Sequence, residues 1–208
     1  FINIDDLREG SNQKSVLEIS HLPNYVHKNF ALENKEWIDE FFLKKLIDAV
    51  SPYIAISFDI IHFAADSDVD RSISDPRKTV TSNILGTLNL LEFSRKSSDF
   101  GRFVYCSTDE VYGPLKEFEA SKRESDMQSP SNPYSASKAA SENLVNSYHV
   151  TYGMDTVITR GVNTFGPWQD YTKLIPVAME ALFKGKKIPL YGDGSQIRDV
   201  LHIDDYIR

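Results

Sequence analysis

The feature that most constrains this chain is a regular alternation of short apolar runs with longer segments in which apolar residues recur every three or four positions. Short runs flanked by turn residues are typical of buried strands, and the longer spacing is typical of amphipathic helices. The runs predict strands at residues 1–5, 25–30, 58–65, 103–106, 156–159, 188–191 and 200–203. The longer pattern predicts helices at 33–49, 76–95, 133–152 and 174–185, with polar loops at 6–24 and 114–132.

The order of these segments predicts the fold class. Strands and helices alternate with no hairpin signal between consecutive strands, which is typical of right-handed crossovers onto a parallel sheet. We therefore expect an α/β protein with a doubly wound parallel sheet. Ligands of such sheets bind outside the carboxyl ends of the strands, where the strand order reverses, so functional residues are expected there.

The composition excludes several classes of protein. With 208 residues, 41% hydrophobic and 25% charged, the chain is long enough for one domain or slightly more, and it is typical of neither a disordered protein nor a coiled coil. Its net charge of -7 is spread along the chain, so neither nucleic acid nor an anionic membrane is an expected partner. A run of about 18 apolar residues, which a membrane span requires, does not occur in the sequence.

Cysteine and histidine usage bears on compartment and metal binding. The single cysteine, Cys106, allows no internal disulfide and suits a reducing compartment, and the first residues show no secretory pattern, so we expect a cytoplasmic protein. One thiol cannot build a zinc site, and the five histidines lack the spacing of metal ligands, so no metal is expected. The chain opens within a strand and closes where a helix starts, so we expect a fragment of a longer protein.

Polar residues at the ends of two predicted strands are candidates for chemistry. Asp5 ends the first strand, where an acid of a dinucleotide-binding fold accepts hydrogen bonds from ribose hydroxyls; an ordinary loop aspartate is the alternative. Thr108, Asp109 and Glu110 follow the strand at 103–106. Two neighbouring carboxylates can serve as acid and base when their pKa values differ, and a solvated turn is the alternative.

Tyr134 and Lys138 lie at the start of the predicted helix at 133–152, which begins with Pro133. Their i, i+4 spacing places the phenol and the ammonium on one face of the helix. Because a nearby cation favours the phenolate, Lys138 is expected to lower the pKa of Tyr134 and make it a base near neutral pH. The pair alone is a weak signal, but its combination with residues 108–110 is hard to obtain by chance.

The chain resembles the extended short-chain dehydrogenases/reductases of the sugar-nucleotide epimerase and dehydratase group, and most of all the 4,6-dehydratases. The matching motifs lie at residues 4–5, 63–72, 107–113 (Ser-Thr-Asp-Glu-Val-Tyr-Gly), 132–138 (Asn-Pro-Tyr-Ser-Ala-Ser-Lys), 163–167, 173–176 and 191–199. The resemblance covers nearly the whole chain but only the middle of the family's usual length. It implies an NAD-binding Rossmann-like domain at 1–165, lacking the first strand and Gly-rich loop, and the start of a small C-terminal substrate domain at 166–208.

The resemblance also implies a reaction, the NAD-dependent dehydration of dTDP-glucose to dTDP-4-keto-6-deoxyglucose. Tyr134, assisted by Lys138, would take the proton of the glucose 4-hydroxyl, and Thr108 would hydrogen-bond that oxygen. Glu110 would remove the proton at C5, and a protonated Asp109 would donate to the departing 6-hydroxyl. The Asp-Glu pair is the discriminating feature, since epimerases and decarboxylases of the group usually lack it at this place.

The family's binding residues can be placed on this sequence by the same resemblance. Its cofactor contacts correspond to Asp5, Asp6, Asn29, Phe30, Ala64, Ala65, Ser82, Tyr134 and Lys138. Its substrate contacts correspond to Ser67, Asn163, Lys173, Leu174, Pro189, Tyr191 and Arg198. Lys173 and Arg198 would meet the diphosphate, with surface charge as their alternative. Asp6 and Asn29 depart from the family, which often has a lysine and an aspartate there, and neighbouring acids at 5 and 6 favour NAD over NADP.

Other functions fit the same sequence. A different NAD-dependent nucleotide-sugar enzyme, such as a 4-epimerase or a UDP-sugar dehydratase, would share Tyr134 and Lys138. It would make no use of Asp109 as an acid. A non-catalytic fragment that holds a fold or an interface is a further alternative. By resemblance, the helices at 76–95 and 133–152 would form the four-helix interface of a homodimer.

Overall fold

The computed structural model of the protein describes residues 2–4, 17, 19–22, 25–29, 31–33, 57–115, 119–190 and 192–208. Outside the described residues lie Asp5, Asp6, Phe30, Tyr191 and nearly all of the helix predicted at 33–49. The strands are β1 (Ile2–Ile4), β2 (Val26–Lys28), β3 (Phe58–His62), β4 (Phe100–Thr108), β5 (Asp155–Gly161), β6 (Asn163–Phe165) and β7 (Val200–His202).

Every strand pair in the described part of the chain is parallel. β1 pairs with β2, β6 pairs with β7, and β3, β4 and β5 form a three-stranded sheet with β4 at its centre. Parallel neighbours require crossover connections, and helices lie between β3 and β4 and between β4 and β5. The predicted α/β class with a parallel sheet is therefore confirmed.

The helical elements account for these crossovers. They are α1 (Val69–Ser74), α2 (Pro76–Val80), a π-helical segment (Thr81–Leu85), α3 (Gly86–Lys96), a 3-10 turn (Asp109–Tyr112), α4 (Pro133–Tyr152), α5 (Leu174–Phe183) and α6 (Ile203–Tyr206). The helix predicted at 76–95 is confirmed, with one π turn inside it. The helix predicted at 133–152 is confirmed at both ends, since Asn132 caps its start and Gly153, in the left-handed conformation, follows its end.

The hydrophobic core lies between the central strand and the two long helices. Phe103 and Tyr105 project from one face of β4, being two positions apart, and are 0% and 1% exposed. They pack in one cluster with Leu91 of α3 and Val145 of α4. Residues of β1 and β2 pack against the same cluster, which joins the two-stranded and three-stranded sheets around one core. Burial of each large side chain stabilises the fold by roughly 1.5–3 kcal/mol.

Some sequence-based boundaries were wrong. Residues 188–190 form no strand, because the chain turns back at Gly192 and Gly194, both with positive φ, and Leu190 folds against Gly194 instead of pairing. The strand predicted at 58–65 ends at His62, whereas the strands predicted at 103–106 and 156–159 extend further at both ends. α1, the 3-10 turn and β6 were not predicted, since each is too short for a periodic pattern.

Candidate active site

A cleft of about 720 Å³ opens at the carboxyl ends of β3, β4 and β5. Its walls come from the loop after β3, the end of β4, the first turns of α4 and the segment from β5 to α5. It is the position at which parallel α/β sheets bind ligands. Most of the site residues expected from the sequence meet here: Ala65, Ser67, Thr108, Asp109, Glu110, Tyr134, Lys138, Asn163, Lys173, Leu174 and Arg198 line the cleft.

The acidic turn, Asp109–Tyr112, continues directly from β4. Thr108 caps it, because its hydroxyl accepts a hydrogen bond from the Glu110 amide at 3.3 Å. The same hydroxyl donates to Oδ1 of Asp109 at 3.2 Å. The Glu110 carboxylate accepts a hydrogen bond of 3.5 Å from Asn132, the N-cap of α4. The two neighbouring acids therefore have different surroundings, one held by Thr108 and the other by the start of α4.

Burial separates Asp109 from an ordinary aspartate. Desolvation of its half-buried carboxyl raises its pKa, while the hydrogen bond from Thr108 and the charge of Arg198 act in the opposite direction. Arg198 lies far along the sequence, in the segment before β7, yet it lines the same cleft. A raised pKa favours the protonated carboxyl, which is the form that a general acid requires.

The start of α4 is held rigidly where it enters the cleft. Asn132 and Ser135 form a reciprocal capping box, in which the Asn132 side chain accepts from the Ser135 amide at 2.8 Å. The Tyr134 amide lies in the first turn and has no acceptor within the helix, so it donates to the hydroxyl of buried Ser72 in α1 at 3.2 Å. These contacts fix the helix end from which Tyr134 and Lys138 reach the cleft.

Lys138 is 3% exposed, and its ammonium is bound to the end of β4. Nζ donates to the Cys106 carbonyl at 2.7 Å and lies 4.2 Å from the centre of the Tyr105 ring. Burial lowers the pKa of Lys138 to about 8, against the opposing influence of Cys106 and Glu142. The ammonium is thus desolvated at the floor of the cleft, with one strong carbonyl partner.

The expected lowering of the Tyr134 pKa by Lys138 is wrong for this structure. Burial, and then the negative charges of Glu110 and Asp109, raise the pKa of Tyr134 above its ordinary value, and only a hydrogen bond with Thr108 acts in the opposite direction. The two side chains share a helix face as predicted, but the Lys138 ammonium points to Cys106 and Tyr105. A phenol beside two carboxylates keeps its proton until positive charge enters the site.

Asn83 connects the loop after β3 to the start of α4. Its side chain accepts from the Asp66 amide at 2.7 Å and donates to the Asp66 carbonyl at 3.1 Å and to Ser137 at 2.9 Å. Asn83 is 2% exposed and lies within the π-helical segment, a kind of local irregularity that is frequent at functional sites. The loop that carries Ala65 and Ser67 is therefore held at a set distance from the Tyr134 helix.

Four expected contacts do not reach the cleft in the described part of the chain: Asn29, Ala64, Ser82 and Pro189 are not among the lining residues. Other residues line it without having been predicted, among them Asp68, Cys106, Gln169, Asp170, Thr172 and Tyr206. Gln169 and Asp170 follow a Gly-Pro turn, which was a usable signal for a loop. Tyr206 reaches the cleft because it packs against Gly161, so closely that a Cβ atom on residue 161 would lie 2.6 Å from the tyrosine ring. The sequence gives no sign of that contact.

The described residues give no sign of a metal centre or a membrane span. Among them, no group of three or more His, Cys, Asp or Glu side chains is placed to hold a metal ion. No helix in the same part of the chain is long and apolar enough to cross a bilayer.

Known proteins are similar to this chain in sequence and in fold. A family profile described as GDP-mannose 4,6 dehydratase matches residues 2–208. A dTDP-glucose 4,6-dehydratase of Haemophilus influenzae is 41% identical over 100% of this chain and 61% of its own length. DesIV, a dTDP-glucose 4,6-dehydratase of Streptomyces venezuelae solved with NAD and dTDP bound, is 36% identical, with a TM-score of 0.85 over 99% of this chain and 59% of its own.

A UDP-glucuronic acid 4-epimerase of Bacillus cereus matches at a TM-score of 0.83 over 99% of this chain and 62% of its own, but at 24% identity, so this likeness concerns the fold alone. The chain spans only 61% and 59% of the two dehydratases. A parallel sheet whose strand ends meet a Tyr-x-x-x-Lys helix defines a Rossmann-like protein of the short-chain dehydrogenase/reductase class. Within that class, this chain belongs to the GDP-mannose 4,6-dehydratase family.

Proposed function

We propose that the protein catalyses the NAD-dependent dehydration of dTDP-glucose to dTDP-4-keto-6-deoxyglucose. The observation that carries this proposal is the shared cleft of two pairs, Asp109 with Glu110 and Tyr134 with Lys138. Elimination of water needs an acid and a base beside the residues that assist oxidation of the sugar by NAD. An epimerase needs no such acid. The dehydratases at 41% and 36% identity support the same activity.

The residues of the cleft fit a nicotinamide cofactor. The Lys138 ammonium and the Tyr134 phenol provide hydrogen-bond donors at its floor, and the small side chain of Ala65 allows close approach from the loop after β3. Asp5, Asp6, Asn29, Phe30, Ala64 and Ser82 complete the proposed cofactor site on the grounds of sequence. When bound, NAD would supply the redox chemistry, accepting a hydride from C4 of the sugar and returning it to C6.

In the first half of the reaction, Tyr134 removes the proton of the glucose 4-hydroxyl while Thr108 hydrogen-bonds that oxygen. The raised pKa of Tyr134 makes the phenolate a strong base once formed, but it must first lose its own proton. The role of Lys138 in this step is proposed from the family resemblance, because in this structure its ammonium is bound to the Cys106 carbonyl and does not lower the pKa of Tyr134.

In the second half, Glu110 removes the proton at C5, which the 4-ketone has made acidic. The C5–H electron pair forms the C5–C6 double bond, and the C6–O bond breaks as Asp109 donates its proton to the departing hydroxyl, so one water leaves. The raised pKa of Asp109 supports its role as the acid. Glu110, hydrogen-bonded to Asn132, acts as the base and would return the proton to C5 when the hydride is added at C6.

We assign the nucleotide part of the substrate to the part of the cleft that Lys173 and Arg198 line. Lys173 and Arg198 are proposed to bind the diphosphate, with Ser67, Asn163, Leu174, Pro189 and Tyr191 contacting the rest of the molecule. We propose that residues 166–208 form the main substrate region and that residues 1–165 bind the cofactor and contribute Ser67 and Asn163 to the substrate. We further propose that the protein is cytoplasmic, from its cysteine usage, and forms a homodimer, from its family resemblance.

Product mass spectrometry tests this function directly. The full-length protein, incubated with NAD and dTDP-glucose, is expected to give a product lighter by one water. A product of unchanged mass but altered retention identifies an epimerase instead. Unchanged substrate contradicts the proposal, and incubation with UDP-glucose in parallel then distinguishes a different nucleotide preference from a non-catalytic protein.

A further inference from the structure

A buried ion pair lies behind the acidic turn, outside the proposed reacting groups. Arg160, near the end of β5, binds Glu142 of α4 with the Nε–Nη2 edge of its guanidinium: Nε lies 3.0 and 3.1 Å from the two carboxylate oxygens, and Nη2 lies 2.6 Å from Oε2. The Glu142 side chain is 3% exposed and that of Arg160 is 18% exposed. Gln128 adds a 2.5 Å hydrogen bond to the same carboxylate.

The remaining Arg160 nitrogen reaches the acidic turn. Nη1 donates to the Tyr112 hydroxyl at 2.6 Å and to the Glu124 carbonyl at 3.0 Å, and the guanidinium lies 5.0 Å from the centre of the Tyr112 ring. Tyr112 is the last residue of the turn that begins with Asp109. Arg160 therefore joins the far end of the acidic turn to α4 through one planar, fixed group.

The geometry of this link bears on the two carboxylates. A turn of four residues has little freedom once both ends are held, and β4 already holds the Thr108 end. Glu142 follows Lys138 by one helical turn and Tyr134 by two, so all three lie along the same side of α4. The link thus sets the distance between the acids of the turn and the phenol of the helix.

Resting on the proposed dehydration, we propose that Arg160 is a positioning residue, which acts through Tyr112 to hold Asp109 and Glu110 in register with Tyr134 for the elimination step. Oxidation of the 4-hydroxyl uses the side chains of Tyr134, Lys138 and Thr108. None of these three is among the hydrogen-bond partners of Arg160. Loss of the link should slow the removal of water and spare the oxidation. A merely structural role would weaken both steps together.

The Tyr112→Phe variant removes one hydroxyl and keeps the ring, so it cuts the link without leaving Glu142 unpaired. Tyr152→Phe is the matched control, because Tyr152 also lies under an arginine, Arg95, but on the exposed end of α4. Single-turnover reactions of the full-length protein with NAD and dTDP-glucose would follow two rates: oxidation from the absorbance of reduced nicotinamide, and elimination from quenched product mass. Backbone hydrogen exchange at 109–112 would report the turn itself.

Tyr112→Phe is expected to slow elimination about tenfold or more, since an ångström of misplacement can cost a hundredfold, with oxidation changed less than about twofold. Exchange at 109–112 should quicken in this variant and stay unchanged in Tyr152→Phe. Equal loss of both rates, or unchanged rates and exchange, overturns the positioning role. A wild-type protein that releases no water overturns the proposed function and the role in elimination with it, whereas an active wild type matched by the variant overturns only the role of Arg160.

Discussion

At the residue scale, the burial of Asp109 favours its proposed role as an acid but lowers the stability of the folded protein when the carboxyl is ionised. Its carboxyl is half-buried, and burial raises its pKa above the ordinary value of 3.8. The folded state therefore holds its proton to a higher pH than the unfolded chain does. Because the folded state binds more protons in that interval, the contribution of Asp109 to the free energy of unfolding falls as pH rises from near 3.8 through the folded pKa.

The Asp109→Asn variant should separate the two effects. Asparagine cannot donate the proton to the leaving hydroxyl, so elimination should fall about a hundredfold or more, while oxidation at C4 survives. The same change removes the burial cost of a carboxylate, so the variant should unfold at a higher temperature than the wild type at pH 7. This gain should vanish well below pH 3.8, where the wild-type carboxyl is protonated in both states.

Product mass, the absorbance of reduced nicotinamide and thermal midpoints at both pH values would measure these outcomes. Asp99→Asn is the matched control, since Asp99 is exposed at the opposite end of β4 from the cleft. Water elimination at the wild-type rate in Asp109→Asn would show that another group is the acid. A lower thermal midpoint at pH 7 would show that the Asp109 carboxylate is not held at a cost.

Most of the predicted site residues in the described part of the chain line the cleft, but the electrostatics of the site could not be read from the sequence. The spacing of Tyr134 and Lys138 predicted a shared helix face, and both line the cleft. Whether a cation lowers a phenol's pKa depends on which groups are nearer and on how much water is excluded. Here burial, and then the carboxylates of the acidic turn, raise the pKa of Tyr134, and neither the burial nor the packing can be read from the spacing of residues.

At the element scale, the π-helical segment of residues 81–85 joins two walls of the cleft. Its irregular turn places Asn83 inside the protein, where three hydrogen bonds tie the loop after β3 to α4. Removing the amide in Asn83→Ala leaves the Asp66 amide and carbonyl short of partners, because a buried backbone group without a hydrogen bond is costly. We expect a loss of about 2–3 kcal/mol in the free energy of unfolding.

Urea denaturation of Asn83→Ala and Asn146→Ala would check this expectation. Asn146 is exposed on the same helix, α4, that Asn83 contacts, so its replacement should change the free energy of unfolding by less than about 0.5 kcal/mol. A lower midpoint with an unchanged slope would indicate loss of native contacts alone. Equal effects of the two variants would mean that the Asn83 bridge contributes nothing specific.

Helices and strands were predicted correctly where the sequence itself carries the signals for their ends. Prediction failed where contacts with distant segments decide whether an element forms. α4 begins and ends as predicted, because a cap, a proline and a terminal glycine mark it within the sequence itself. The apolar residues at 188–190 resemble a strand, yet no strand edge in the described part of the chain pairs with them, and two glycines turn the chain back. Arg160, Glu142 and Tyr112 come from three separate elements, so no local pattern could reveal their contact.

At the scale of the whole molecule, the parallel sheet explains why distant motifs share one cleft. Each crossover returns the chain to the same edge, so every strand delivers its following residues to that side of the sheet. The two long helices pack on one face of the sheet and are joined by a 2.6 Å hydrogen bond from Tyr148 of α4 to Glu92 of α3. Apolar side chains remain exposed on the outer sides of α4 and of the helical stretch from α2 to α3, including Val80, Leu85 and Val150.

This outer surface is where the proposed homodimer should form, and Leu85→Glu tests it. Leu85 is 44% exposed at the end of the π-helical segment, so a charge there should be tolerated by the monomer but desolvated in a four-helix interface. Multi-angle light scattering should show a dimer for the wild type and a dissociation constant raised about a hundredfold or more for the variant. Leu182→Glu, which places the same charge at a 66% exposed site on α5, should remain dimeric. A wild-type protein that stays monomeric at high concentration contradicts the homodimer, and a dimer in all three proteins places the interface elsewhere.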